Sequence, residues 1–146
     1  MIQDRSIYTW LIAAGALPFA AGGVALLAGI ERLPVFGSAQ SLLLSYGLGI
    51  ASFLTGIHWA TSLYLQERSP LRLFAVSNAI FLAVWGSYLL FQPQVAALVQ
   101  SIAFVALLAI DYRLLAASVI GRGYFRLRVV ASAVAVASLL ILLWRI

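Results

Sequence analysis

The sequence predicts an all-α integral membrane protein, a single domain of residues 1–146 that forms a bundle of five transmembrane helices. Of its residues 64% are hydrophobic and only 9% are charged, whereas a soluble domain is roughly 45–50% apolar and about 25% charged. A chain of this length cannot bury so much apolar surface in water, because small domains leave much of their surface exposed. The apolar residues also form five long runs, separated by charge, proline or glycine. A soluble domain and a disordered chain are both excluded.

The composition also excludes several kinds of site. The chain has no cysteine, a single histidine and four acidic residues, so we expect no disulfide, no thiolate or zinc site and no cysteine nucleophile. Nine arginines produce a net charge of +5 but are scattered between apolar runs, which does not provide the basic surface that nucleic acids require. We therefore expect no metal, no cofactor and no nucleic-acid partner.

The first three predicted spans each end at a polar break. A helix needs about 20 apolar residues to cross a hydrocarbon core about 30 Å thick. The first span is predicted over residues 8–30 and ends before Glu31. The second, residues 41–65, ends at the charged segment 66–70, and the third, residues 71–91, ends at a Gln-Pro-Gln sequence. Charge and proline are typical of helix ends.

The fourth span is predicted over residues 95–120, and a break containing two glycines at residues 121–123 separates it from the fifth and shortest, residues 127–144.

Five spans place the two termini on opposite sides of the membrane. The amino-terminal side carries most of the arginines: Arg5, Arg68, Arg72, Arg122, Arg126 and Arg128, together with Arg113 if its side chain extends to that side. The other side carries only Arg32 and Arg145. The positive-inside rule then predicts a cytoplasmic amino terminus and a carboxyl terminus on the opposite side.

Residues that are costly or disruptive in a membrane helix fall at similar predicted depths in four spans. Counting about 1.5 Å per residue from the cytoplasmic end of each span places them about 11 to 15 Å deep: Pro18, His58, Asn78 and Asp111. This coincidence predicts a polar layer inside the cytoplasmic half of the bundle.

Asp111 is the strongest signal in this layer. Leucines occupy its neighbouring positions on the same helix face, and a lone carboxylate in lipid costs at least about 2.5 kcal/mol. We therefore expect Asp111 to face inward and to pair with Arg128, His58 or Arg126, in that order of preference. A structural ion pair and a functional proton or ligand site both remain open.

His58 is the only histidine, and Thr55, Thr61 and Ser62 lie on its side of the second span. One interpretation is a hydrogen bond at a helix–helix contact. Another is a pair with Asp111 that titrates as one unit. Nothing in the sequence supplies the second axial ligand of a haem. On the adjacent face, small residues at Ser45, Gly49, Ser52 and Gly56 predict close helix packing.

Residues 52–59, Ser-Phe-Leu-Thr-Gly-Ile-His-Trp, resemble a motif of the domain-of-unknown-function 3429 family, which includes the mitochondrial transmembrane protein 69. The Gly-Ala-Leu-Pro-Phe sequence of residues 15–19, an aspartate in the fourth span and a Tyr-Phe-Arg-Leu-Arg sequence at residues 124–128 extend the resemblance over nearly the whole chain. Thr55 and Ala60 depart from the family pattern, as do Gly121 and Gly123. The matching positions are Pro18, Phe19, Ser52, Phe53, Gly56, His58, Trp59, Asp111, Tyr124, Arg126 and Arg128.

The resemblance implies a five-span protein of an energy-transducing membrane and implies no established reaction. We expect a bacterial inner (plasma) membrane, because no amphipathic, serine-rich transit leader is evident. The mitochondrial inner membrane is the expectation for a eukaryotic chain.

The favoured function is a non-catalytic accessory or assembly subunit, which docks on a larger membrane complex through its small-residue faces. The alternative is a proton-linked or small-molecule carrier that uses His58 and Asp111 and acts as an oligomer. An enzyme acting on a lipid or quinone is least favoured, because no nucleophile motif or metal-ligand set is present. The expected partners are the lipid bilayer and either another membrane protein or a second copy of the chain.

Overall fold

The computed structural model of the chain describes residues 5–65 and 72–146, with side chains from Thr9 onward in the first helix. Long helices account for nearly all of the described chain: α1 (Arg5–Leu27), α2 (Ala39–Leu65), α3 (Leu73–Leu89), α4 (Pro93–Ala116) and α5 (Arg122–Arg145). The predicted all-helical fold is confirmed. Arg68 and residue 71, the predicted start of the third span, lie outside the described residues, as do the side chains of Arg5 and Tyr8.

The helices α1, α2, α4 and α5 are long and apolar enough to cross a membrane. The helix α3 is apolar but has only 17 residues. At about 1.5 Å per residue, α3 is about 26 Å long, slightly less than the thickness of a typical hydrocarbon core.

A short hairpin joins α1 to α2, where the sequence predicts only a break. Its strands are β1 (Arg32–Leu33) and β2 (Gly37–Ser38), which pair antiparallel. Gly37, which begins β2 directly after the turn, lies in the left-handed region at a φ of 73°. Ser38 then caps α2, because its Oγ accepts a hydrogen bond from the Ser41 backbone N–H at 2.9 Å.

The ends of α1 and α4 have the same capping geometry but use different residues. In α1, Gly29 takes a φ of 73° and its N–H donates to the carbonyl of Leu26. In α4, Ser118 takes a φ of 58° and its N–H donates to the carbonyl of Leu115. This Schellman-type cap ends α4 at Ala116, so the predicted extension of the span to residue 120 is wrong.

Replacing Ser118 with glycine is expected to stabilise the protein by about 1 kcal/mol, because a left-handed residue with a Cβ is strained by about that amount. Thermal unfolding of the purified chain in detergent measures the effect. The reverse exchange at the other cap, Gly29→Ala, should lower the unfolding temperature. A Ser118→Gly variant that unfolds below the wild type would contradict this account of the cap.

Two glycines of α1 allow its neighbours to approach closely. A Cβ on Gly22 would lie 2.7 Å from the side chain of Leu43 in α2, and a Cβ on Gly23 would lie 2.8 Å from Ser138 Oγ in α5. Around these contacts α1 packs on α5 and α2, while α4 packs on α5, α3 and α2. The largest fully buried side chains of the resulting core include Phe19, Leu43, Phe104, Leu107 and Leu139.

The small-residue face of α2 does not take part in this packing. Gly49 and Gly56 are exposed, and apart from adjacent residues and the backbone of their own helix, no atom of the described residues lies within 4 Å of a Cβ built on either. Ser45 is exposed and Ser52 is half-buried. As a contact within the chain, the predicted packing at this face is therefore wrong. Close contacts between helices are made instead at Gly22 and Gly23 of α1.

Candidate functional site

Three polar side chains from three helices meet inside the bundle. Asp111 of α4 accepts a hydrogen bond at Oδ2 from Arg128 Nε of α5, and its Oδ1 contacts His58 Nε2 of α2; both distances are 2.8 Å. The exposed fractions are 2% for His58, 3% for Asp111 and 6% for Arg128. We call these residues the polar triad. The prediction that Asp111 faces inward and pairs is confirmed, with its first two predicted partners both in contact.

The hydrogen-bond chemistry of the triad determines where its protons lie. An ionised carboxylate can only accept hydrogen bonds, so His58 Nε2 carries a hydrogen and donates it to Asp111. The guanidinium of Arg128 keeps its charge at any pH of interest. The negative charge of Asp111 is therefore balanced by Arg128, while His58 serves as an additional donor.

Some polar atoms around the triad lack partners. His58 Nδ1, Arg128 Nη2 and Ser132 Oγ are buried and have no hydrogen-bond partner among the described residues. Ser132 follows Arg128 by one helical turn in α5. The neighbouring hydroxyls of α2 bond within their own helix, since Thr55 donates to the carbonyl of Ser52 and Thr61 to that of Ile57.

The other residues predicted for the polar layer do not join the triad. Asn78 is exposed on α3, and the buried polar residue there is its neighbour Ser77, which bonds to the carbonyl of Leu73 in its own helix. The prediction that Asn78 lies inside the bundle is therefore wrong. Arg126 is exposed, so the third predicted partner of Asp111 does not contact it. Pro18 is half-buried within α1.

Phe19, which follows Pro18 in α1, packs edge-on against Tyr46 and Phe104, with ring centroids 5.1 and 5.6 Å apart respectively. The hydroxyl of Tyr46 donates to the carbonyl of Gly15 at 2.9 Å. The Gly-Ala-Leu-Pro-Phe sequence thus joins α1 to α2 and α4.

A cavity of about 100 Å³ lies between these aromatic residues and α5. Its walls include Phe19, Phe104, Tyr124, Arg128 and Ser132. Arg128 and Ser132 thus contribute to the wall of an otherwise apolar space, while their unpartnered Nη2 and Oγ atoms are themselves buried.

A second buried polar contact joins α2 to α4, and the sequence analysis missed it. Gln100 is fully buried, and its Nε2 donates to the carbonyl of Leu44 at 2.9 Å. The only signal was an amide side chain within an apolar run. On α4, the buried Phe104 and Leu107 lie between Gln100 and Asp111, so apolar side chains separate the two polar contacts along this helix.

In residues 5–65 and 72–146, no group of three or more histidine, cysteine, aspartate or glutamate side chains is placed to hold a metal ion. The triad itself contributes one imidazole and one carboxylate, and that carboxylate is occupied by an arginine. Its arrangement suits a tie between helices and the transfer or acceptance of a proton at His58 Nδ1.

The chain belongs to the family described as Protein of unknown function (DUF3429), which matches residues 5–144. The match confirms the resemblance inferred from the motifs; the likeness to transmembrane protein 69 stays a prediction. No curated protein and no solved structure matches the chain.

Proposed function

We propose that this member of the DUF3429 family is a non-catalytic accessory or assembly subunit, which docks on a larger membrane protein through α2. The observation that supports this proposal is the open small-residue face of that helix. We call it the α2 stripe: Ser45, Gly49, Ser52 and Gly56, spaced to lie on one face.

The small residues of the α2 stripe favour packing against another helix over contact with lipid. Glycine within a helix costs about 1 kcal/mol relative to alanine, and Gly49 and Gly56 recover none of this by packing within the described chain. Small residues allow a second helix to approach closely in a membrane. The stripe also presents no free hydroxyl, because Ser45 and Ser52 donate to carbonyls of their own helix.

The polar triad holds the α2 stripe in a fixed orientation. His58 follows Gly56 by two residues, a rotation of about 200° around the helix, so the two features lie on nearly opposite faces of α2. Bonding of His58 to Asp111 fixes the inner face of α2 against α4, and Arg128 extends the connection to α5. The triad therefore acts as a structural tie that presents the stripe outward.

The chain crosses the membrane five times, with its amino terminus in the cytoplasm and its carboxyl terminus on the other side. The length and composition of four helices support this topology, and α3 is short enough to require slight thinning of the bilayer. The arginine distribution supports the orientation. The membrane is the bacterial inner membrane, or the mitochondrial inner membrane for a eukaryotic chain.

A carrier is the second candidate, and the unpartnered His58 Nδ1 beside a buried carboxylate favours it. An intramembrane ionisable residue is a functional candidate by default. Against it, the buried Phe104 and Leu107 separate the triad from Ser101 and Gln100, the next buried polar side chains along α4.

Replacing Gly49 and Gly56 with leucine is expected to release the protein from its complex. Both positions are open in the chain itself, so the leucines should leave its fold intact while blocking a close helix contact. The measurement is native electrophoresis of mildly solubilised membranes in which the tagged chain is expressed from its own promoter. Wild type should migrate with a large complex, and the double variant should run as the free chain.

Gly86→Leu is the control, since half-buried Gly86 of α3 also has room for a Cβ but lies off the stripe. It should leave the complex intact. A wild-type chain that runs as a lone homo-oligomer would contradict the accessory-subunit proposal and favour the carrier. Loss of the complex in Gly86→Leu as well would remove the α2 stripe as the docking face.

A further inference from the structure

The cavity beside the polar triad has one polar row on an otherwise apolar surface. Tyr124, Arg128 and Ser132 line it at intervals of four residues, which places them along one face of α5. The opposite walls are apolar and include Phe19 and Phe104. Phe53 of α2 also lines the cavity and is 64% exposed, so the space reaches the outer surface of the helices, which faces lipid in a membrane.

Two donors on this row are left without acceptors. Arg128 Nη2 and Ser132 Oγ have no hydrogen-bond partner among the described residues, although their residues are only 6% and 4% exposed. Native proteins pair nearly all buried polar atoms, because an unmade hydrogen bond is costly. Two unpaired polar atoms on residues of one cavity wall point to a bound group with an acceptor oxygen.

The charge balance of the triad indicates whether the bound group is charged or neutral. Asp111 already neutralises Arg128. His58 Nε2 contacts the same carboxylate. A carboxylate or phosphate entering the cavity would add an uncompensated negative charge at membrane depth, which is costly. A neutral carbonyl oxygen accepts the same hydrogen bonds without that cost.

We infer that this cavity binds the carbonyl end of a neutral, apolar molecule from the bilayer. The Arg128 guanidinium and the Ser132 hydroxyl rotate toward the cavity and donate to the carbonyl oxygen, and the aromatic wall contacts the apolar body. A dry cavity of about 150 Å³ accepts benzene in another protein, so a space of about 100 Å³ suits a small head or a chain segment rather than a whole lipid. The carbonyl belongs either to a glycerolipid ester or to a quinone ring. This site is independent of docking at the α2 stripe.

Thermal unfolding of the full chain in detergent tests the inference. Three neutral probes are titrated separately: decylubiquinone, dioctanoylglycerol, and decylbenzene, which lacks a carbonyl. We expect Tm to rise with the concentration of one carbonyl probe, as binding to the folded state requires, and to stay constant with decylbenzene. A rise with decylubiquinone identifies the quinone ring, and a rise with dioctanoylglycerol identifies the ester.

Ser132→Ala separates ligand binding from stability. Loss of one hydrogen bond should weaken binding of the active probe about tenfold. Without probe, the Tm should be unchanged or higher, because an unpaired buried hydroxyl has been removed. Ser138→Ala is the control, since Ser138 is buried in the same helix but outside the cavity; it should bind the probe as wild type does.

A second pair of variants tests the space itself. Ala131 lines the cavity and Ala133 of the same helix is exposed away from it. Ala131→Phe should abolish the rise in Tm, and Ala133→Phe should retain it. The inference is overturned if neither carbonyl probe raises Tm, if decylbenzene raises it equally, or if Ser132→Ala binds as tightly as wild type.

Discussion

Replacing Asp111 with alanine is expected to destabilise the protein by about 3–5 kcal/mol, the loss that follows when one member of a buried ion pair is removed. Arg128 cannot release its proton, so its charge would remain 94% buried without a carboxylate. His58 would lose its acceptor in the same step. The measurement is equilibrium unfolding of the detergent-solubilised chain with increasing sodium dodecyl sulfate, followed by circular dichroism.

Variants of Arg128 and Arg126 show whether the stranded charge is the cause. In Asp111→Leu/Arg128→Met both charges are replaced by apolar groups, so most of the stability should return, as it does when buried ion pairs are replaced together. Arg126→Met is the control, because Arg126 is exposed two residues away on α5. Asp111→Asn should resemble Asp111→Ala, since it strands the same arginine. Equal stability of wild type and Asp111→Ala, or a double variant no better than the single one, would contradict the role of the triad.

The polar triad could be predicted because one energetic cost, that of an unpaired charge in a membrane, is much larger than the effects that oppose pairing. A lone carboxylate in a membrane is so costly that Asp111 had to pair, and few basic residues lie within reach of its depth. Helix depth follows from counting residues along a straight span. For this reason the partners on α2 and α5 are the two that ranked first, although the simultaneous contact of both with Asp111 was not predicted.

The orientation of side chains around each helix could not be predicted in the same way. In a membrane, both the lipid-facing and the core-facing residues are apolar, so the sequence lacks the polar face that orients a helix in a soluble protein. Asn78 and its neighbour Ser77 differ by about 100° of rotation, and only Ser77 turned inward. For the same reason, the sequence did not predict that Gly23 packs against a neighbouring helix while Gly49 has no neighbouring helix beside it in the part of the chain that the structure describes.

Helix ends were predicted only approximately, because the backbone conformation of single residues, which hydropathy does not report, sets where a helix ends. The fifth helix begins at Arg122 rather than at residue 127, and α4 ends at Ala116 rather than at residue 120. Apolar residues continue beyond Ala116, so hydropathy alone predicts a longer span. The helix stops because Ser118 adopts a left-handed conformation. Serine adopts this conformation only at a cost, so a serine in the sequence does not predict a helix end of this kind.

Replacing Gly47 with leucine is expected to destabilise the protein by about 3 kcal/mol, as overpacking and the loss of a buried hydrogen bond add together. Gly47 of α2 is buried where Gln100 of α4 crosses it, and even a Cβ at this position would collide with Gln100 Oε1. The glutamine would have to leave the carbonyl of Leu44, and it is fully buried with no solvent to accept its amide. Unfolding of the purified chain in detergent measures the loss.

Gly49→Leu is the matched control for Gly47→Leu, because it makes the same change two residues away on the same helix, where the described chain leaves open space. It should unfold at or above the wild-type midpoint, since leucine has the higher helix propensity. In Gly47→Ala/Gln100→Ala the collision is absent, so the double variant should be more stable than the sum of its single effects predicts. Equal losses for Gly47→Leu and Gly49→Leu would mean that the two faces of α2 do not differ, and would contradict both the inner contact with Gln100 and the outward orientation of the α2 stripe.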